Sequence, residues 1–159
     1  AVRLGDKNPI GIFKEYWKCG EQKDHHFQGE WYLTGDRATR DPDGYFWFIG
    51  RKDDVIKSSG YRIGPFEVES ALTAHPAVQD VAVIGKPDDV RGQIVKAFVV
   101  LRPGHEPGDE TRKSLQDHCK HLVAPYKYPR EIEFVIELPK TVSGKTRRFE
   151  LRRQEAAGS

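Results

Sequence analysis

The sequence predicts an α+β fold: a small domain with a mainly antiparallel sheet flanked by helices, preceded by a β-rich stretch. Three observations predict it. From residue 54 onward the patterns run strand, strand, helix, strand, strand, helix, strand, then a loop and a helix, an order that suits a small α+β domain. Residues 94–101 are almost continuously apolar, as a central strand covered on both faces must be. Residues 30–49 hold aromatic strand signals around one strong turn, yet provide too little chain to close a core, so they read as part of something larger.

In chain order, residues 1–19 mix extended and turn signals without a clear pattern. Residues 30–36 read as a short strand (Trp31, Tyr32, Leu33) entering a Gly35-Asp36 turn, and residues 37–40 as a second strand. Asp41-Pro42-Asp43-Gly44 is a turn, because Pro presets one torsion and Gly tolerates positive φ. Residues 45–49 are aromatic and β-branched, as strands prefer. Residues 50–54 are charged and read as a linker between two bodies. Residues 55–57 and 61–63 flank Ser58-Ser59-Gly60 as a hairpin.

Gly64-Pro65 opens a helix with Val68, Ala71 and Leu72 on one face, and His75-Pro76 ends it. Residues 78–84 form a strand with Val81 and Val83 on one side, and residues 86–92 a polar loop before the apolar strand. Residues 111–122 are helical, with Leu115, Cys119 and Leu122 as the buried stripe. Residues 131–136 alternate as a strand, residues 139–145 form a loop, and residues 146–155 a short basic helix.

Composition narrows the function classes. The chain has 159 residues, 37% hydrophobic and 31% charged, which is neither disordered nor membrane-spanning material. No apolar run approaches the roughly 18 residues a membrane helix needs. A net charge of +2 does not suggest nucleic acid. Cys19 and Cys119 lack metal-like spacing, so free thiols in a reducing compartment are expected. The first residues carry no secretory-leader pattern and read as mid-protein sequence. The six histidines, His25, His26, His75, His105, His118 and His121, read as surface residues and no metal site is expected.

Three constellations could carry chemistry. In Pro139-Lys140-Thr141-Val142-Ser143-Gly144-Lys145, a small Ser-Gly pair lets a loop approach a ligand and leaves the lysine as a mobile cation for phosphate or carboxylate oxygens; taken alone, it reads first as a solvated surface loop. In Tyr32-Leu33-Thr34-Gly35-Asp36, the aspartate could accept two ribose hydroxyls at once, or simply cap its own turn. Between Gly50 and Glu69, Arg51, Arg62 and a polar linker suggest a hinge that presents charge to a polyanion, or a plain interdomain linker. Glu67 and Glu69 diverge on their helix and read as ordinary first-turn acids.

In this order, the three constellations resemble the adenylate-forming superfamily of acyl-CoA synthetases, firefly-type luciferases and peptide-synthetase adenylation domains. The resemblance spans residues 30–153. The run from Ala124 to Phe134 and the tail Arg148-Phe149-Glu150-Leu151-Arg152 are similar to medium-chain and benzoate-type acyl-CoA synthetases. The resemblance implies that residues 1–52 are the β-rich end of a large N-terminal adenylation domain and residues 53–159 the mobile C-terminal domain. It implies Asp36, Arg51 and Arg62 at the nucleotide, Asp53 as hinge, and Lys145 bridging the acid's carboxylate and the α-phosphate of ATP. In a second conformation Ser59, Gly60 and Tyr61 would line the pantetheine tunnel, with Arg91, Lys120, Tyr128, Pro129 and Arg130 at CoA.

The implied substrates are a carboxylic acid, ATP (leaving as AMP) and CoA. Mg2+ would accompany ATP, with no ligand for it in this chain. Implied partners are the rest of the N-terminal domain and a lysine acetyltransferase or deacetylase acting on Lys145, with neither nucleic acid nor membrane. The implied compartment is the cytoplasm, or the mitochondrial matrix in a eukaryote. Leu33 stands where many members carry Arg, and the family's Ser/Thr/Gly-rich phosphate loop is absent, so the chain alone is expected to be inactive. Competing readings are an acetyl-CoA synthetase-like enzyme, an adenylation module that acylates a carrier protein, and a basic binding module using Lys140, Lys145, Arg147, Arg148, Arg152 and Arg153.

Overall fold

A computed structural model describes residues 1–5, 11–12 and 26–157. The readings made for residues 6–10 and 13–25, Cys19 and His25 among them, lie outside these. The chain divides into two compact units, Ala1–Asp53 and Asp54–Ser159.

In the first unit, β1 (Val2–Arg3), β2 (Phe27–Gln28) and β3 (Trp31–Tyr32) form a small antiparallel sheet in the order β1-β3-β2. β4 (Asp36–Arg40) and β5 (Phe46–Arg51) form a separate antiparallel hairpin. Its turn is built as the sequence demands. Asp41 accepts the backbone N–H of Tyr45 and the indole N–H of Trp47, each at 2.8 Å, and Gly44 takes a φ of 94°. The Trp47 bond, with the backbone donors, holds the Asp41 carboxyl below its usual pKa against a small opposing effect of burial. β5 carries the pairing through Gly50 and Arg51, which the sequence reading gave to the linker; the ladder continues because these residues still face Arg37 and Asp36. Phe46, Trp47 and Phe48 remain exposed, Phe46 at 74%.

The second unit is built on β8 (Val78–Asp88), β9 (Gly92–Leu101) and β10 (Glu131–Phe134), with β9 central. β8 pairs antiparallel with β9, whereas β10 pairs parallel with it through the crossover helix α2 (Asp109–Leu122). β6 (Ile56–Ser58) and β7 (Tyr61–Ile63) form a hairpin, followed by α1 (Pro65–Thr73). α3 (Arg148–Ala157) ends the described chain. The unit is thus α+β with mainly antiparallel pairing.

Two apolar clusters explain why β9 is so hydrophobic. Val95, Ala97 and Val99 pack on one face with Val68 and Leu72 of α1 and Leu115 and Cys119 of α2. Phe98 and Val100 pack on the other with Ala82, Ile84, Leu138 and Leu151 of α3. A strand covered on both faces loses the alternation that marks a half-exposed one.

Several sequence expectations are corrected. Residues 86–92 are not a polar loop, since the ladder runs on through Lys86↔Ile94, Pro87↔Gln93 and Asp88↔Gly92. Their polarity has other uses: Lys86 Nζ lies 2.9 Å from Glu131 and 2.8 Å from Glu155, and Asp88 accepts the N–H groups of Val90 and Arg91. Leu122 is 56% exposed rather than buried, because it is the last residue of α2 and overhangs the core. β10 stops at Phe134, and α3 starts at Arg148 rather than 146. The histidines are not all on the surface: His75 bonds Ser114 Oγ at 3.1 Å, meets His118 edge-on, and the buried His118 Nε2 has no hydrogen-bond partner. No helix among the described residues is long and apolar enough to cross a membrane.

Candidate functional site

The predicted residues fall into three groups, one in the first unit and two in the second. In the first unit, Asp36 and Arg51 stand opposite each other across β4 and β5. Arg51 Nη1 lies 3.5 Å from Asp36 Oδ1 and donates to the Thr34 carbonyl at 3.1 Å, while Arg51 Nε lies 3.7 Å from Asp53. Gly35 is required here by its φ of 77°, which a residue with a Cβ rarely adopts. Three of the predicted positions therefore form one exposed carboxylate–guanidinium–carboxylate group. Its arginine shields one Asp36 oxygen and leaves the carboxylate able to accept hydroxyl donors.

The second group surrounds the tip of the β6–β7 hairpin. Gly60 has a φ of 83°, and Ser59, a non-glycine, takes 49°, a conformation that persists only where neighbours hold it. Arg91 does so, accepting the Ser59 N–H at its carbonyl (3.0 Å) and donating from Nη1 to Ser59 Oγ (3.2 Å). Tyr61 stacks on Tyr126, with ring centroids 4.1 Å apart and an 18° interplanar angle. Lys120 of α2, which also pairs with Asp117 at 2.9 Å, lies 4.6 Å from the Tyr128 ring, and Arg130 lies 5.3 Å from it. Arg130 also donates to the Tyr128 hydroxyl at 3.2 Å, and Pro129 is fully buried. An aromatic ring with two cations against it is a donor set suited to a polyphosphate attached to a flat ring. Arg62 is exposed on β7 opposite Lys57.

The third group is the Lys145 loop. Thr141 ties it internally: its N–H donates to the Lys145 carbonyl at 2.8 Å, and its hydroxyl accepts the Lys145 N–H at 3.1 Å. Lys140 anchors the loop to Asp80 near the start of β8 at 2.5 Å, and Lys140 bridges Thr146. The Lys145 side chain is exposed. The Ser59–Gly60 tip sits instead beside Arg91, where β8 turns into β9. From Asp80 to Asp88 is eight residues of β8, or about 26 Å at the strand's rise of roughly 3.3 Å per residue. The two loops thus lie toward opposite ends of one long hairpin.

Sequence reading missed what fastens these parts. Glu69 is no ordinary first-turn acid. It accepts the Val83 N–H at 2.8 Å and two bonds from Arg148 Nη2, at 2.8 and 2.6 Å. Asp54, the first residue of the second unit, pairs with Arg148 at 3.4 Å and Arg152 at 2.7 Å. The four-residue spacing of Arg148 and Arg152, which sets both on one helix face, was the available signal. Burial alone would lower the Arg148 pKa, but Glu69 and Asp54 outweigh it and hold the guanidinium more firmly charged. Glu67 likewise pairs with Lys127 at 2.7 Å and accepts the Gly64 N–H at 3.3 Å, closing the start of α1.

A second unforeseen network lies on the α3 face. Lys96, 3% exposed, meets Glu131, Glu133 and Glu155. Burial opposes its charge, but those carboxylates prevail and raise its pKa well above the usual lysine range. Burial would raise Glu131 and Glu155, yet Lys86 and Lys96 hold both below the normal carboxylate value. Cys119 is a free, buried thiol, pushed up to about 11 by burial and then by nearby Glu67. Among the described residues no three or more His, Cys, Asp or Glu side chains gather to hold a metal.

Residues 67–145 match the family model of the AMP-binding enzyme C-terminal domain. Similar curated proteins include the mitochondrial acyl-coenzyme A synthetase ACSM3 of Rattus norvegicus, 54% identical over 157 residues and 98% of this chain. Another is the uncharacterized acyl–CoA ligase YtcI of Bacillus subtilis (strain 168), 58% identical over 144 residues and 91% of this chain. The chain spans 27% of the length of each. Among solved structures, the anthranilate CoA ligase AuaEII in complex with anthranoyl-AMP is 48% identical with a TM-score of 0.81, covering 91% of this chain and 28% of that one. An acyl-CoA synthetase of Brucella canis is 53% identical with a TM-score of 0.67, covering 87% and 26%.

Proposed function

Because the chain belongs, through residues 67–145, to the AMP-binding enzyme C-terminal domain family, we propose that it is the C-terminal part of an AMP-forming acyl-CoA synthetase, an acid–thiol ligase. The whole enzyme joins a carboxylic acid to ATP, releasing pyrophosphate, and then transfers the acyl group from the adenylate to CoA, releasing AMP. Residues 1–52 are the end of the large adenylation domain and residues 53–159 the mobile C-terminal domain, with Asp53 as hinge. The acid is of medium chain length or aromatic: identity to an anthranilate CoA ligase supports the aromatic kind, and the run from Ala124 to Phe134 with the tail Arg148 to Arg152 supports both.

One observation carries the mechanism: the Lys145 loop and the Ser59-Gly60-Tyr61 turn lie toward opposite ends of the β8–β9 hairpin. A rigid body with its two working tips that far apart cannot bring both to one substrate at once. The first step needs a cation between carboxylate and triphosphate, which repel each other, and Lys145 supplies it. A single well-placed charge of this kind is worth about 3–4 kcal/mol. The second step needs a route for the thiol, which the Ser59-Gly60-Tyr61 turn lines, with Arg91, Lys120, Tyr128, Pro129 and Arg130 holding the nucleotide end of CoA. Rotation about Asp53 exchanges the tips. Asp36 and Arg51 hold the ribose, and Arg62 the phosphate. Mg2+ bound with ATP would offset the phosphate charge, and none of these residues is assigned to hold it.

Acetylation of Lys145 would remove its charge, so a lysine acetyltransferase and deacetylase would switch the first step. The protein works in the cytoplasm, or in the mitochondrial matrix if eukaryotic, since relatives of the second kind are named as mitochondrial. The isolated chain is inactive.

The test uses the full-length protein, wild type and Lys145→Ala, with acetate, butyrate, octanoate and benzoate. Acid-dependent ATP–pyrophosphate exchange should fall about 10²- to 10³-fold in the variant, while thioester formation from preformed acyl-adenylate survives. Normal exchange by the variant would make Lys145 a surface lysine and end this mechanism. Thioester formation by residues 1–159 alone would overturn the claim of inactivity.

A further inference from the structure

We infer that Tyr126 is a positioning residue of the second step: its ring, stacked on Tyr61, holds the Ser59-Gly60-Tyr61 turn in the shape the thiol's route requires. This rests on the synthetase reading above.

The turn cannot hold itself. It joins two strands of three residues each, and so short a hairpin is marginal without outside support. Ser59 moreover keeps a φ of 49°, which its own side chain disfavours. Arg91 supports the turn from one side through two bonds to Ser59. Tyr126 supports it from the other, stacked on Tyr61 at 4.1 Å.

Tyr126 is itself fastened. It sits in the loop between α2 and β10, and its neighbour Lys127 pairs with Glu67 Oε2 at 2.7 Å. The other oxygen of that carboxylate accepts the N–H of Gly64, the residue that follows β7. Loop, turn and helix start are thereby closed into one ring of contacts. Neither ring of the stack belongs to the apolar core: Tyr61 is 51% and Tyr126 40% exposed. An aromatic pair kept at the surface contributes little to folding, and its effect falls on the element it orders.

The experiment compares wild type, Tyr126→Ala and Tyr126→Phe in the full-length protein. Exchange of ATP with pyrophosphate reports the first step, and single-turnover thioester formation from preformed acyl-adenylate over a range of CoA concentrations the second. In Tyr126→Ala the ratio of second-step to first-step rate should fall about tenfold, the scale of a lost aromatic pair. Tyr126→Phe, which keeps the stack and loses only the hydroxyl, should restore the ratio to within about twofold. A ratio unchanged in Tyr126→Ala, or equal loss of both steps with no recovery in Tyr126→Phe, overturns the inference. A wild-type protein that runs neither step overturns the synthetase reading itself, which separates the two failures.

Discussion

The two units of this chain use their hydrophobic residues in opposite ways. Asp54–Ser159 buries them: both faces of β9 are covered, and Ile63, Val68, Leu72, Val83 and Leu115 are sealed from solvent. Ala1–Asp53 displays them, with Tyr45, Phe46, Trp47 and Phe48 all exposed along a two-stranded hairpin. Closure takes a second layer, and among the described residues only the second unit has helices to provide one.

The largest effect that could break this contrast is all-or-none. Residues 54–159, produced alone, should unfold cooperatively in urea, and residues 1–53 alone should show no cooperative transition by circular dichroism. A sharp transition in the shorter piece would show that it carries a core of its own.

Next comes the anchor that joins α1, β8 and α3. Glu69→Ala leaves Arg148 partly buried without its main partner and exposes the Val83 N–H. It should cost residues 54–159 about 2–4 kcal/mol, the lower part of the range for breaking a buried pair, because Arg148 retains some water and Asp54. Urea midpoints measure it. Phe46→Ala in the other unit should change the stability of the full chain by less than about 0.5 kcal/mol, since the ring is 74% exposed and meets Arg40 at 5.8 Å from its centroid.

A further effect is set by pH. Burial, and then nearby Glu67, push the Cys119 thiol up to about 11 from its ordinary 9.0, so the folded state keeps a proton that the unfolded chain releases. That contribution is complete below pH 9 and declines as pH rises toward 11, by roughly 2–3 kcal/mol. Lys86 and Lys96, raised above 10.5 by their carboxylates, add a loss of the same sign at still higher pH. In the acid direction, Glu131 and Glu155 lie below 4.5 when folded, so their contribution is lost as pH falls through their folded values. Residues 54–159 should therefore hold a stability plateau between about pH 5 and 9. Cys119→Ala should remove the first part of the alkaline decline; an unchanged profile would clear the thiol of any role.

Local signals were enough for much of this. The apolar run of β9 announced a central strand, Gly64-Pro65 started α1 where expected, and Asp41 to Gly44 formed the turn that its residue types require. The Ser143-Gly144-Lys145 loop and the Ser59-Gly60 turn were visible because glycine and its neighbours impose their conformations within a few residues. Long-range pairs left no such trace. Lys96 stands within the almost continuously apolar run with no local sign of its partners, three glutamates from β10 and α3. Residues 86–92 looked like a loop because they are polar, while the ladder that continues through them depends on the opposite strand.

What the sequence determined by itself was therefore the α+β class, the order of elements and the residue types at each loop, since torsional preference and hydrophobic period act over neighbouring positions. The tertiary structure decided that Glu69 would clasp Arg148 from 79 positions away, that Tyr126 would lie on Tyr61, and that the Lys145 loop and the Ser59 turn would sit toward opposite ends of one hairpin. Those contacts join residues remote in the chain, whose partners are selected only when the sheet's register and the helices' packing bring them face to face.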